Sequence, residues 1–237
     1  MSAPTPPPEP LRPPGAGVQL VCLDMAGTTV TDDGAVLASF ATALDALGVR
    51  DRAERSRMEA YVRATMGESK IVVWRALFGD EARAQAANAA FEAAYDEHIE
   101  AGEVTPVPGA EDTIAALRRA GRKVALLTGF SASTRDRLVA RLGWRAAVDA
   151  LLCPAEAGRG RPYPDLVLAA VLRTGADDVA AVCAVGDTAS DMESARRAGA
   201  GWRVGVLTGT HDAATLHAAG ATHVVGSVVE VPALLEG

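Results

Sequence analysis

From Val18 onward, short apolar runs rich in β-branched residues alternate with amphipathic stretches, the pattern of βα units around a mostly parallel sheet. The runs VQLVCLD (18–24), KVALLTG (123–129), AVDALLCP (147–154), VAAVCAVGD (179–187), WRVGVLTG (202–209) and THVVGS (222–227) predict strands. All but the first lie beyond residue 120. The stretch between the first two carries no strand pattern and is far too long for a loop inside a compact domain, so it must itself be structured. Within it, Val36 to Leu47 sets Leu37, Phe40, Leu44 and Leu47 on one helical face. DRAERSRMEAYVRATMG and SKIVVWRALFG read as shorter helices, and Glu81 to Ala101 spaces Phe91, Tyr95 and Ile99 four apart on another. Pro108 and Gly109 then turn the chain back, and Ala110 to Ala120 is a helix laid on the sheet. The expected fold class is α/β: a parallel-sheet core from residues 18–33 and 104–237 with an all-helical insert at 34–103. Residues 1–17, MSAPTPPPEPLRPPGAG, hold seven of the thirteen prolines and little that is apolar, and are expected to form a disordered or extended tail.

Composition narrows the partners. The chain has 237 residues, 49% hydrophobic and 22% charged, with a formal net charge of −7. That balance argues against a surface built for nucleic acid or anionic lipid, which draw on clustered Lys and Arg, and points to a small-molecule partner. No apolar stretch approaches the roughly 20 residues that span a bilayer, and the N-terminus lacks the basic-then-apolar order of a signal peptide, so a cytoplasmic location is expected. Cys22, Cys153 and Cys183 are odd in number and sit in or beside apolar runs, so they read as buried hydrophobes rather than a disulfide framework.

In open parallel sheets, polar residues placed just after an apolar run converge at the carboxyl ends of the strands. Asp24 ends the first run, Thr128 the second, and Asp187 the fourth, with Asp191 at the start of the following helix. Carboxylates meeting at one edge repel each other, and a hard divalent cation such as Mg2+ resolves the repulsion. Taken singly, Asp187 and Asp191 also suit turn and N-cap roles.

In this order the motifs resemble the haloacid dehalogenase superfamily of phosphohydrolases: DMAGTT for the first, Thr128 in LLTGF for the second, Arg161 in GRPYP for the third and GDTASD for the fourth. The resemblance covers residues 18–237 and implies a Rossmann-like core under a helical cap. It implies Asp24 as a nucleophile that forms an aspartyl-phosphate. Mg2+ is then held by Asp24, the backbone carbonyl of Ala26 and Asp187, with Asp191 in support. Thr128, the amide of Gly129 and Arg161 donate to the phosphoryl group; Arg159 is a near alternative that reads better as a solvated loop charge.

Most phosphatases that this pattern resembles carry an acid where Ala26 stands, to protonate the departing alkoxide. The branch with AGTT at this point is phosphonatase-like. It cleaves the carbon–phosphorus bond of phosphonoacetaldehyde, using a cap lysine in a Met-Gly-x-x-Lys motif that forms a Schiff base. Here MGESK places Met66 and Lys70 at those positions. The sequence lends Lys70 separate weight: the chain has 23 Lys and Arg together, of which only Lys70 and Lys123 are lysines. Where Arg fills nearly every basic position, a Lys suggests chemistry that needs a neutral amine. Lowering a lysine pKa from about 10.4 to about 7 costs roughly 4 to 5 kcal/mol of environmental penalty on the charged form. The competing role for Lys70 is a side chain reaching from its helix into water.

One departure is Val73, where the resembling enzymes have a proton-moving His. Three readings therefore stand: a phosphonatase-like hydrolase, a phosphatase of small monoesters with Lys70 as a phosphate-binding charge, and a non-catalytic phospho-metabolite binder. The apolar stripe around Ile71 and Trp74 faces either a second copy, as in homodimers of the resembling branch, or its own lobe.

Overall fold

The computed structural model describes residues 17–31 and 33–236, so the Pro-rich stretch read as a tail lies, Gly17 apart, outside the described residues. The strands are β1 Leu20–Asp24, β2 Lys123–Leu127, β3 Ala150–Leu152, β4 Val182–Gly186, β5 Trp202–Val206 and β6 His223–Val225. They form one sheet in the order β3-β2-β1-β4-β5-β6, with every pairing parallel. β1 lies in the middle, flanked by β2 and β4, so the chain crosses to one side of it and then to the other. The carboxyl end of β1 is thus the switch point where open α/β sheets bind ligands.

Between β1 and β2 run α1 Ala35–Ala46, α2 Arg52–Ala64, α3 Lys70–Phe78, α4 Glu81–Ala101 and α5 Ala110–Arg119. Later come α6 Ala132–Leu142, α7 Pro154–Ala157, α8 Asp165–Thr174, α9 Ala189–Ala198, α10 Ala213–Ala218 and α11 Val231–Leu234. Side chains alternate across a strand, so each central strand feeds two cores. Leu20 and Cys22, with Ala125, Leu127, Val182 and Ala184, pack on the face covered by Leu166, Val167 and Ala170 of α8. Val21, Leu23, Val124, Leu126 and Val185 pack on the other, against Ile114 and Leu117 of α5 and Leu138 of α6.

This second core does not stop at the sheet. It continues through Met25, Val30 and Phe130 into α1 to α4, where the Phe40 ring lies 4.7 Å from those of Trp74 and Phe91. Trp74 is fully buried there, so at that residue the apolar stripe on α3 serves its own lobe. Asp51 and Asp80 start α2 and α4 by accepting the backbone N–H of Glu54 and Arg83 at 2.8 and 2.7 Å.

The strands are shorter than the apolar runs that announce them. The run at 147–154 gives strand only at residues 150–152, and residues 179–181 of the fourth run form a single 3₁₀ turn instead, tied down by the Asp178 carboxylate, which accepts from the Ala180 N–H at 2.8 Å. Pro154 has no N–H to extend β3 and begins α7. β5 stops at Val206 and hands the chain to a loop that returns to the site. No helix among the described residues is long and apolar enough to cross a membrane.

Candidate active site

β1 delivers Asp24, β4 delivers Asp187, and the first turn of α9 delivers Asp191, all buried, with one oxygen of each within 4.8 Å of the others. Arg161 reaches over them from the loop after α7, its Nη1 2.7 Å from Asp24 Oδ1 and its Nε 2.8 Å from Asp191 Oδ1. Asp191 also fills its local role, accepting from the Thr188 N–H at 3.1 Å in a capping box. Arg159 is the solvated charge the sequence suggests: it pairs with Asp165 at 2.8 Å and is 61% exposed.

The turn after β1 is wound around the Met25 carbonyl, which accepts the N–H groups of Thr28, Thr29 and Val30 at 2.9 to 3.1 Å. This winding aims both hydroxyls of the AGTT segment inward. Thr28 Oγ1 donates to Asp187 Oδ1 at 3.2 Å, and Thr29 Oγ1 donates to the Asp24 carbonyl at 2.8 Å. The loop after β5 completes the brace and has no counterpart in the sequence reading. Thr210 N–H donates to Asp187 Oδ2 at 2.8 Å, Thr208 Oγ1 to the Gly27 carbonyl at 2.7 Å, and Ala189 N–H to His211 Nδ1 at 2.8 Å. Only the cluster of hydroxyl residues in LTGTH, just past an apolar run, signals this in the sequence.

Burial is the largest influence on Asp24. With Asp191 and Asp187 nearby it pushes the carboxyl up to about 8, although Arg161 pulls the other way. Asp187 is pushed up to about 6, by burial first and Asp191 second. One guanidinium facing three carboxylates leaves negative charge uncompensated. An all-oxygen donor set with that surplus fits a hard divalent cation. The cysteines offer no rival nucleophile: all are buried, and burial pushes the Cys22 thiol up to about 12 and raises Cys153 and Cys183 as well.

The insert meets this rim through its residues 66–70. Thr128 is buried at the end of β2, its Oγ1 accepting from the Phe130 N–H at 3.2 Å. Gly129 carries the insert directly: its carbonyl accepts the Lys70 N–H at 3.3 Å, and a Cβ at Gly129 would stand 2.6 Å from the Glu68 carbonyl oxygen. Gly67, at φ 85°, lies so close to the core that a Cβ there would come 2.3 Å from Thr188 Oγ1. Arg161 Nη1 donates to the Gly67 carbonyl at 3.4 Å.

Lys70 opens α3 and is only 8% exposed, its Nζ 5.5 Å from the centre of the Phe130 ring and 5.9 Å from that of Phe40. It lines a cleft of about 450 Å³ between insert and core, together with Glu68, Asn88, Phe130, Arg161 and Tyr163. Burial raises the Glu68 carboxyl, and the charge of Lys70 opposes that rise. Met66 stands apart: it is half-buried against the main apolar core and is not among the cleft walls.

The sequence family described as haloacid dehalogenase-like hydrolase matches residues 18–199. The chain belongs to this family. Among its relatives, a phosphonoacetaldehyde hydrolase of Bacillus cereus is 30% identical over 213 residues, 82% of this chain and 78% of the relative. One of Parabacteroides distasonis, with the same name, is 30% identical over 158 residues, 56% of this chain and 59% of the relative. In fold the family member superposes on a Pseudomonas syringae hydrolase with a TM-score of 0.80 at 23% identity, over 92% of this chain and 98% of that one. It superposes on a phosphonoacetaldehyde hydrolase-like protein of Oleispira antarctica with a TM-score of 0.81 at 21% identity, over 96% and 95%. The α/β core with surrounding helices expected from the sequence is thus that of this hydrolase family.

Proposed function

We propose that the protein hydrolyses the carbon–phosphorus bond of a small carbonyl phosphonate of the phosphonoacetaldehyde type. The observation that carries this reading is the burial of Lys70, 8% exposed, in the same cleft as Arg161. An amine shielded from bulk water between two rings suits carbinolamine dehydration, and its relatives' names point to the same chemistry.

Lys70 Nζ adds to the substrate carbonyl, and loss of water gives an iminium. Asp24 attacks phosphorus, and the electron pair of the breaking carbon–phosphorus bond flows into the iminium, which becomes an enamine. Protonation of the enamine carbon and hydrolysis of the resulting imine release the aldehyde and free the lysine; water then cleaves the aspartyl-phosphate. No alkoxide leaves, so the position of Ala26 needs no acid. Arg161 has five donors, and its ion pairs to Asp24 and Asp191 leave others for phosphoryl oxygens. Thr128 and the Gly129 amide line the same rim. Asp24, Asp187 and the Ala26 carbonyl would hold Mg2+, with Asp191 in support. When bound it neutralises charge gathering on the phosphoryl oxygens. Residues 34–103 act as a cap that excludes water, with Met66 at the base of the lysine loop, and the buried free cysteines suit a cytoplasmic setting.

Val73 favours a second reading. It is 2% exposed in the apolar core and has no titratable proton where the resembling enzymes have His. In that reading Lys70 is a phosphate-binding charge and the substrate a phosphate monoester. Phosphate and acetaldehyde release from phosphonoacetaldehyde with Mg2+ separates the two, compared between the natural chain and Lys70→Arg. Schiff-base chemistry requires the arginine variant to be inert on the phosphonate. No release from the phosphonate by the natural chain, with near-normal turnover of a phosphate monoester by that variant, supports the monoester reading.

A further inference from the structure

Imine chemistry at Lys70 needs a group that moves protons, and Val73 offers none. The acids in the wall of the cleft are Glu68, from the turn before α3, and Glu92, from α4. Both Glu92 oxygens are engaged, Oε1 accepting from Asn88 Nδ2 at 2.6 Å and Oε2 from Ser133 Oγ at 3.4 Å. The arginines of the wall are committed as well: Arg75 pairs with Glu81 at 2.7 Å, Arg159 with Asp165 at 2.8 Å, and Arg161 with Asp24 at 2.7 Å. The Tyr163 ring lies 4.2 Å from the Arg159 guanidinium. Glu68 differs from all of these. No described residue gives its carboxylate a hydrogen bond or an ion pair, yet it lies near enough to Lys70 for the two charges to interact.

The segment that carries Glu68 cannot move aside. A Cβ at Gly129 would stand 2.6 Å from the Glu68 carbonyl oxygen and one at Gly160 2.8 Å from Ser69 Cβ, so residues 68 and 69 are wedged between two loops of the rim. Glu68 is half-buried, so it keeps exchange with water while it lines the cleft. Burial raises its carboxyl toward the range where an acid both gives and takes a proton near neutrality.

We propose that Glu68 moves the protons of the Lys70 imine. This rests on the Lys70 reading above and deepens it by naming the group that takes the place of the missing His. The neutral amine adds to the substrate carbonyl, and one proton passes from nitrogen to oxygen to give the carbinolamine. The Glu68 carboxylic acid then gives its proton to the carbinolamine hydroxyl. The carbon–oxygen bond breaks with its electron pair leaving on water, and the nitrogen lone pair closes the carbon–nitrogen double bond. After carbon–phosphorus cleavage the enamine carbon takes a proton from solvent. Water adds to the iminium, and the Glu68 carboxylate takes the proton that this water gives up, which restores the acid.

The test measures, for the full chain with Mg2+ and phosphonoacetaldehyde, the rate of phosphate release and the rate at which borohydride traps an adduct on Lys70. Glu68→Gln keeps the shape and loses the acid, and both rates are expected to fall together by about 100-fold or more. Glu68→Asp keeps an acid and is expected to stay within about tenfold of the natural chain. If the glutamine variant does not fold, Glu68→Ala takes its place, and recovery of trapping on addition of formate is the expected result. A glutamine variant that traps the adduct at nearly the natural rate, an aspartate variant as slow as the glutamine one, or an alanine variant that formate does not help would each overturn the assignment while leaving the Schiff base in place. A natural chain that forms no adduct and releases no phosphate would overturn both readings together.

Discussion

The two halves of the proposed site, a floor of carboxylates beneath Arg161 and a lid formed by the insert, are built in different ways. At the floor, Asp187 is held by Thr28 and Thr210, Asp191 by Thr188 and Arg161, and Asp24 by Arg161, partners drawn from separate elements. The lid is fixed by close packing. Gly67 lies against Thr188, Gly129 against Glu68, and a single backbone bond joins Lys70 to Gly129. A floor held by redundant polar bonds tolerates the loss of one of them. A lid seated by glycines that leave no room for a Cβ does not tolerate added bulk. In the proposed reaction, the groups that hold charge in place sit on the first part and the amine that meets the substrate sits on the second.

The largest effect expected is from Asp24→Asn. It removes the attacking oxygen and is expected to lower phosphate release by about 10⁴-fold or more while circular dichroism shows an intact fold. A variant with substantial residual turnover would break the comparison, because the floor would then hold no nucleophile.

Next is the cation. Mg2+ at about a hundred times its dissociation constant adds roughly 2.7 kcal/mol of stability, so the thermal midpoint is expected to rise by about 5 °C or more. Asp187→Asn should remove that rise, and an undiminished rise would place the cation elsewhere.

Gly129→Ala addresses the lid alone. The added methyl meets the Glu68 carbonyl, so turnover is expected to drop about tenfold or more while the Mg2+-induced shift stays. Loss of both would mean that lid and floor are one unit.

The smallest effect is from Thr208→Val, which deletes one bond of many around the turn at Gly27. It is expected to cost about 1 kcal/mol in urea unfolding and little activity.

The same contrast explains what was legible in the sequence. Asp24, Asp187 and Asp191 could be read because each follows an apolar run, and strand geometry puts such positions at one edge. Lys70 stood out through the MGESK segment that the resemblance picks out, and because lysine is so scarce in this chain. The braces could not be read in the same way. Thr28, Thr208, Thr210 and His211 act through hydrogen bonds that depend on how a turn is wound, and short polar segments leave no periodic trace. Strand ends were overread for a related reason: the apolar composition of the runs at 147–154 and 179–187 does not mark where strand pairing starts, and strand forms only at 150–152 and 182–186.

The central claim is that one substrate is held at once by the amine of the lid and the carboxylate of the floor. Asp24→Asn protein treated with phosphonoacetaldehyde and then borohydride tests it by peptide mass spectrometry, because attack on phosphorus is blocked and the imine accumulates. The account predicts a reduced adduct on Lys70 that still carries the phosphonate group. An absent adduct, or one on Lys123, would contradict it.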